Sequence, residues 1–358
     1  MKVFHCDHCR HLVFFENTLC VKCEKRLAYL PELGVVGSLD QSPDANLYSS
    51  PLPRSEGRRY KLCANYLQHN ICNWAMAADD QHSLCTACRL TRTIPDLTRN
   101  GHRVQWAKLE TAKRRLVYTL QGLKLPVASK DDDPENGLRF EFLADADPNT
   151  PQPILTGHES GTVTVNIAEA DDAEREKRRV QLGEPYRTLP GHLRHEVGHY
   201  YWNRLIEGTT RLDSYRNLFG DERADYGEAL KAHYRDGPAP DWPHRFVSSY
   251  AASHPWEDWA ETWAHYLHIV DTLETAADCG LSIRPARPDE PRLASAPDPI
   301  DDPDAPFDRI MESWFPLTYV LNNLNRGLGH PDAYPFVLPP KAVEKLRFIH
   351  DTIAAANA

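Results

Sequence analysis

Two histidines four residues apart, His195 and His199, with Glu196 directly after the first, form the group best suited to chemistry in this chain of 358 residues. On an α-helix, positions i and i+4 share a face, so both imidazoles can meet a single zinc ion. Glu196 stands one position off that face, where a carboxylate reaches a water at the metal and works as general base. Catalytic zinc keeps three protein ligands and one open position, so another His, Asp or Glu must converge on the pair. Without that third ligand, the same residues only decorate an ordinary surface helix.

The flanking sequence supports the helix. Thr188 is placed to cap it, Pro190 falls in its first turn and Gly208 offers a stop. Leu189, Leu193, Val197, Tyr200 and Leu205 form its apolar stripe. A second helix is expected to begin at Pro255 in Ser253-His254-Pro255-Trp256-Glu257-Asp258-Trp259-Ala260-Glu261, with Glu257 in the first turn and Glu261 one turn later on the same face. The spacing of Trp256, Trp259 and Trp263 reads as a core stripe rather than a substrate platform. Asp221, Glu222 and Asp225 form a second acidic cluster, which suits a helix N-terminus and its dipole better than a metal.

Eight of the nine cysteines fall into two quartets. Cys6, Cys9, Cys20 and Cys23 have the spacing of two zinc knuckles, in which each Cys-x-x-Cys turn aims two thiolates at one tetrahedral ion. Cys63, Cys72, Cys85 and Cys88 are less regular and predict a second four-cysteine site, with His69 or His82 able to replace a cysteine. Closed sites of this kind leave no place for water and hold the fold together. The expected metal complement is therefore three zinc ions, one catalytic and two structural. Cys279 is left over and reads as structural. Metal-type rather than scattered spacing implies a reducing compartment, most simply the cytoplasm. No charged-then-apolar leader precedes Cys6, and no apolar run approaches a membrane span.

Around these residues the composition is that of a globular protein, 41% hydrophobic and 26% charged. Net charge is −10 but unevenly placed. Residues 1–125 hold 18 Lys and Arg against 11 Asp and Glu, a surplus of +7 that leaves −17 for the remainder. Two four-thiolate zinc sites would each add −2 and reduce the front to about +3. Nucleic acid is accordingly not the expected partner.

Short strands are predicted at Val13–Phe15, Leu138–Leu143 and Thr162–Ile167, the last after a Gly-rich turn at Gly157–Gly161. Helices are predicted at about 104–123, 188–206, 221–235, 255–275, 307–325 and 340–356. The Ser/Pro/Gly/Asp-rich residues 36–58 read as a linker, and the Pro/Asp-rich residues 284–306 as an exposed loop or tether. The fold class is α+β, with N-terminal zinc-ribbon modules followed by a mainly helical domain with a small β-sheet.

The second helix and its glutamates resemble the gluzincins, in which a Glu-x-x-x-acidic helix follows the histidine helix. By that resemblance Glu257 is the third zinc ligand and Glu261 orients a ligand imidazole; Glu261 as ligand is the alternative. The resemblance also offers Tyr250, seven residues before Glu257, as the hydroxyl that stabilises the oxyanion, against a plain reading as a core aromatic. It further makes Thr162–Ile167 the edge strand on which an extended substrate pairs.

Nearly the whole chain resembles the bacterial zinc-ribbon-containing zinc-binding metallopeptidases. The resemblance rests on the first quartet, Asn70-Ile71-Cys72-Asn73-Trp74, the His195–His199 helix, Phe219-Gly220-Asp221-Glu222-Arg223 and the His254–Glu261 segment. It implies a zinc ribbon at 1–35, a linker at 36–58, a second zinc module at 59–100 and a metallopeptidase domain at 101–358. It also implies a peptide or protein substrate, with no membrane partner. A competing reading makes the basic residues Arg54, Arg58, Arg59, Lys61, Lys113, Arg114 and Arg115 a surface for nucleic acid or protein beside a degenerate hydrolase. In a third reading the ribbons deliver substrate to the site or cover it.

Overall fold

The computed structural model describes residues 1–44, 46–145, 154–181 and 184–357. In the front of the chain, β1 (Phe4–His5) and β2 (Leu12–Val13) form a small antiparallel pair. A five-stranded sheet follows, built from β3 (Arg26–Leu30), β4 (Val35–Gln41), β5 (Tyr48–Ser49), β6 (Tyr60–Leu62) and β7 (Ala75–Ala77) in sequential antiparallel order. The short α1 (Ala64–His69) lies between β6 and β7. Residues 36–58 are therefore not the expected linker. Turn-rich composition concealed the strand at Val35–Gln41, and β4 with β5 links β3, which follows the first quartet, to β6 and β7 around the second. Asp7 of the first quartet's loop accepts from Ser38 N (2.6 Å) and Ser38 Oγ (2.9 Å) on β4.

The second sheet has β8 (Thr91–Thr93), β9 (Arg139–Leu143), β10 (Gly157–Glu159) and β11 (Thr162–Asn166) in the order β10-β11-β9-β8. β11 is thus an interior strand, paired antiparallel with β10 and parallel with β9. This corrects its expected place at the edge. The tight turn at Ser160 (φ 46°) and Gly161 (φ 78°) folds β10 back along it, so the segment read as a turn supplies the edge strand itself.

The long helix α2 (His102–Gly122) links front and back. Tyr118 packs its ring edge-on against Phe15 (5.5 Å) and Tyr29 (5.7 Å) of the ribbon region, while its hydroxyl donates to Glu274. Thr119 Oγ1 donates to Asp271 Oδ1 at 2.6 Å. The remaining helices are α3 (Asp172–Gln181), α4 (Leu189–Leu205), α5 (Leu212–Phe219), α6 (Tyr226–Asp236), α7 (Pro255–Asp278), α8 (Phe307–Gly327) and α9 (Pro340–Ala356). The helix expected at 221–235 starts at Tyr226, because Asp225 takes the capping position and accepts from Glu228 N. Glu222 and Asp221 instead pair with Arg216 and Arg223. The loop 284–306 is no free tether: Leu293 and Ala305 are buried, and Ile283 pairs with Leu293. Cys279 is exposed at the C-terminus of α7 rather than in the core.

The contact that matters most for the site is α4 against α7. Trp259 and Trp263 are fully buried. The ring of Trp263 stacks on Tyr201 at 4.9 Å, and Trp259 Nε1 donates to Gly198 O at 2.8 Å. A Cβ at Gly198 would lie 2.9 Å from Ala260 Cα, so the glycine between the two motif histidines sets how closely the helices approach. A buried ion pair fixes α7 from its other side. Lys345 Nζ of α9 lies 2.6 Å from Asp258 Oδ2, and burial pushes the Asp258 carboxyl up to about 7 against the pull of that lysine.

Lys345→Met is expected to cost about 3–5 kcal/mol at pH 8, because it strands a buried carboxylate without its cation. With only burial acting on it, Asp258 stays protonated in the folded chain while the unfolded chain ionises. The variant's stability then falls as pH rises, and its deficit shrinks toward pH 5. Denaturant titrations at the two pH values read this directly, and a deficit independent of pH would contradict it.

Candidate active site

Thr188 Oγ1 accepts from Gly191 N at 3.1 Å and starts α4 as expected, with Pro190 in its first turn. One helical turn on, His195 and His199 point from α4 toward Glu257 in the first turn of α7. One ligand atom from each of the three lies within 4.8 Å of the other two. Glu257 Oε2 is 3.0 Å from His195 Nε2, and Oε1 is 3.6 Å from His199 Nε2. Glu261, one turn along α7, takes the other side of the first histidine: its Oε1 is 2.7 Å from His195 Nδ1. In that contact Nδ1 donates its hydrogen bond to Glu261, while Nε2 faces Glu257. Ser248 Oγ holds the second oxygen of Glu261 at 2.7 Å.

The chemistry of this set suits a cation. Glu257 is 1% exposed, and its Oε2 has no partner in hydrogen-bonding geometry. Burial opposes its charge, but the imidazoles of His199 and His195 outweigh this and hold its carboxyl well below the usual range. Conversely, burial would discharge His195, yet Glu257 and Glu261 hold it well above the ordinary imidazole value. The pocket is thus short of positive charge at the point where two imidazoles and a carboxylate converge. A divalent ion there would be held by His195 Nε2, His199 and Glu257.

Glu196 is buried on the cleft side of α4, and burial pushes its carboxyl above the usual range against the pull of His195 and His199. Tyr250 sits with its ring 6.0 Å from that of His195. Burial and the nearby Glu257 hold its phenol far above the ordinary value, so it keeps its proton. Three further side chains at the centre carry no sequence signal. His192, one turn before His195, has its ring nitrogens 3.8 Å from Glu169 and 3.9 Å from Glu196. His158 of β10 stacks over His199 at 6.2 Å, and its Nε2 accepts from Gly161 N. Tyr226 of α6 donates to Glu257 Oε1 at 2.7 Å.

Two cavities meet at this point. One of about 790 Å³ is lined by β10, Tyr200, Tyr226 and Trp256, and the other, of about 370 Å³, by Arg187, His192, Tyr234 and His268. Thr156, His195, Glu196 and Tyr250 belong to both. Among the described residues, none before Lys130 lines either cavity.

Each cysteine quartet also converges within 4.8 Å, and none of the eight sulfurs is in a disulfide. His69 and His82 stay outside: His69 packs on Trp106, and His82 lies 3.8 Å from Asp132. The backbone takes positive φ at Arg10 and Glu24, each four residues after the first cysteine of its pair, which closes both knuckles. Beside the second quartet, Arg114 is 3% exposed and leaves Nε and Nη1 without partners. Burial opposes its charge, but the Cys72 and Cys88 thiolates outweigh this and hold it above the ordinary value. That is the counter-charge a four-thiolate zinc site requires.

Of the basic residues proposed as a binding face, Lys113 and Arg114 are buried. Arg58, Arg59 and Arg115 pair with Glu32, Asp44 and Glu16, and Lys61 donates to Asp80 O.

A histidine pair on α4, a glutamate on α7 and an open cleft together make a centre whose donor set suits a divalent metal ion. Residues 102–352 match the family described as "Putative zinc-binding metallo-peptidase", and residues 3–99 match a zinc-ribbon domain. The chain belongs to this family of zinc-binding metallopeptidases. Proteins from Mycobacterium bovis and Mycobacterium tuberculosis, both described as uncharacterized, are each 44% identical over 99% of this chain and 95% of their own length. No solved structure matches. Among the described residues, no helix is long and apolar enough to cross a membrane.

Proposed function

We propose that this chain is a cytoplasmic zinc-dependent peptidase that cleaves within an extended peptide. The observation that carries the reading is the convergence of His195, His199 and Glu257 at the junction of two cavities. A bound zinc supplies Lewis acidity to the scissile carbonyl and lowers the pKa of water.

The chain's own residues divide the remaining work. Glu196 accepts the proton that the attacking water gives up and returns it to the departing amine, so the products are one new carboxyl terminus and one new amine. Glu261 keeps the Nδ1 proton of His195 in place and thereby the direction of Nε2. Tyr250 donates its hydroxyl to the carbonyl oxygen as that oxygen gains charge. The outer edge of β10 offers backbone groups to an extended substrate lying across the cleft. The cysteine quartets hold two further zinc ions in a structural role, which suits a compartment that keeps thiols reduced.

The test is a pool of internally quenched peptides blocked at both ends. Zinc-loaded protein should cleave a subset of them, and treatment with a chelator should abolish this reversibly. If the loaded chain cleaves only peptides with a free terminus, cleavage is confined to chain ends. If it cleaves none of either kind, the peptidase reading fails.

A further inference from the structure

Tyr226 came to the centre with no signal in the sequence, and its contact is with a proposed metal ligand. Glu257 has two carboxylate oxygens in different surroundings. Oε1 accepts from the Tyr226 hydroxyl at 2.7 Å, while Oε2 has no hydrogen-bond partner and lies 3.0 Å from His195 Nε2. A phenol facing an ionised carboxylate can only donate. Its bond therefore occupies one oxygen and stops the carboxylate from turning freely about its last torsion.

The tyrosine is itself held in place. Its ring packs edge-on to His254 at 5.2 Å and tilted against Trp256 at 6.2 Å. His254 Nδ1 accepts from Trp256 N at 3.1 Å, which leaves Nε2 with the proton it donates to Ala224 O at 3.1 Å. One histidine thus joins the start of α7, which carries Glu257, to the residues just before α6, which carries Tyr226. Asp225 caps α6 directly ahead of the tyrosine. No residue of α6 is buried, Tyr226 included at 38% exposed, so the tyrosine is held by these ring contacts and its bond to Glu257.

We infer that Tyr226 is a positioning residue for the metal ligand Glu257: its hydroxyl occupies Oε1, which lies 3.6 Å from His199 Nε2, and leaves Oε2 facing His195 Nε2 at 3.0 Å. A carboxylate held in this way binds a cation through one oxygen and leaves room at the ion for water and substrate. Partners that orient a ligand in this fashion are commonly worth 10–100-fold in metal affinity. The inference rests on the metal-centre reading above and adds to it a residue from a different helix.

The experiment measures zinc affinity of the full-length chain by competition with a chelator, with both cysteine sites loaded. Tyr226→Phe removes only the hydroxyl and should weaken the most weakly held zinc by about 10–100-fold, leaving the other two unchanged. In a Glu257→Asp background the shorter carboxylate no longer meets the hydroxyl, and Tyr226→Phe should then shift affinity by less than about twofold. Full affinity in Tyr226→Phe, or an equal loss in both backgrounds, overturns the inference while the metal centre stands. A wild-type chain with no third zinc overturns both.

Discussion

Glu196→Gln is expected to retain every zinc ion and to lower turnover of a cleavable blocked peptide by about 10²–10⁴-fold, the usual worth of a positioned general base. The substitution keeps the side chain's size and exchanges one acceptor oxygen for an amide that cannot take a proton. Glu196 is not one of the three residues whose ligand atoms converge. It stands one position around α4 from His195, buried at the junction of both cavities. Zinc content should therefore be insensitive to the change, and the loss should fall on kcat rather than on KM. Two results would count against the assignment in different ways. An unchanged rate removes Glu196 from the mechanism, whereas loss of zinc makes it a ligand and reopens the role of Glu257.

The separation between ligand and base was legible in the sequence because it is a property of one helix. Positions 195, 196 and 199 are fixed relative to one another by helical geometry, and Thr188 and Pro190 announce where that helix begins. The approach of Glu257 and Glu261 was legible only through resemblance, since no local rule says which two helices will meet. Gly198 records that meeting once the structure is known, because α7 leaves no room there for a Cβ.

The strands were harder. β4 and β5 lie in a stretch whose Gly, Ser and Pro content resembles a linker, and pairing partners far along the chain decide that it is a sheet. β10 has three residues and lies beside a turn, so its edge position depends on β11 being covered by β9 on its other side. Tyr226 and His192 were invisible for the same reason. Each is an ordinary helix residue until a partner from another element is placed beside it, Glu257 at 2.7 Å from Tyr226 and Glu169 at 3.8 Å from His192.

The metal complement gives the sharpest test of the whole arrangement. A full-length chain loaded in excess zinc is expected to retain three ions after desalting, and Glu257→Ala only two. The reasoning starts from the difference between open and closed sites. Each quartet would surround an ion with four thiolates and leave no place for water, and structural sites of this type bind with about 10–16 kcal/mol of apparent free energy at neutral pH. The His195–His199–Glu257 centre would offer three protein ligands, and all three residues line the larger cavity, so a chelator can reach an ion there. Mild chelation should remove one ion together with all peptide cleavage, while the fold and the other two ions remain.

Cys72→Ser should act differently. It removes a thiolate from a fully buried quartet and takes from the buried guanidinium of Arg114 the largest of several compensating charges, leaving Cys88, Glu110 and Cys85. Because α2 carries Arg114 and also joins the ribbon region to α7 through Tyr118, the loss should spread. Protease sensitivity should rise in both halves of the chain, not in the front alone. A wild-type count of two ions would identify its own cause. If Glu257→Ala still holds two, the helical centre never bound zinc; if Cys72→Ser does, the second quartet did not.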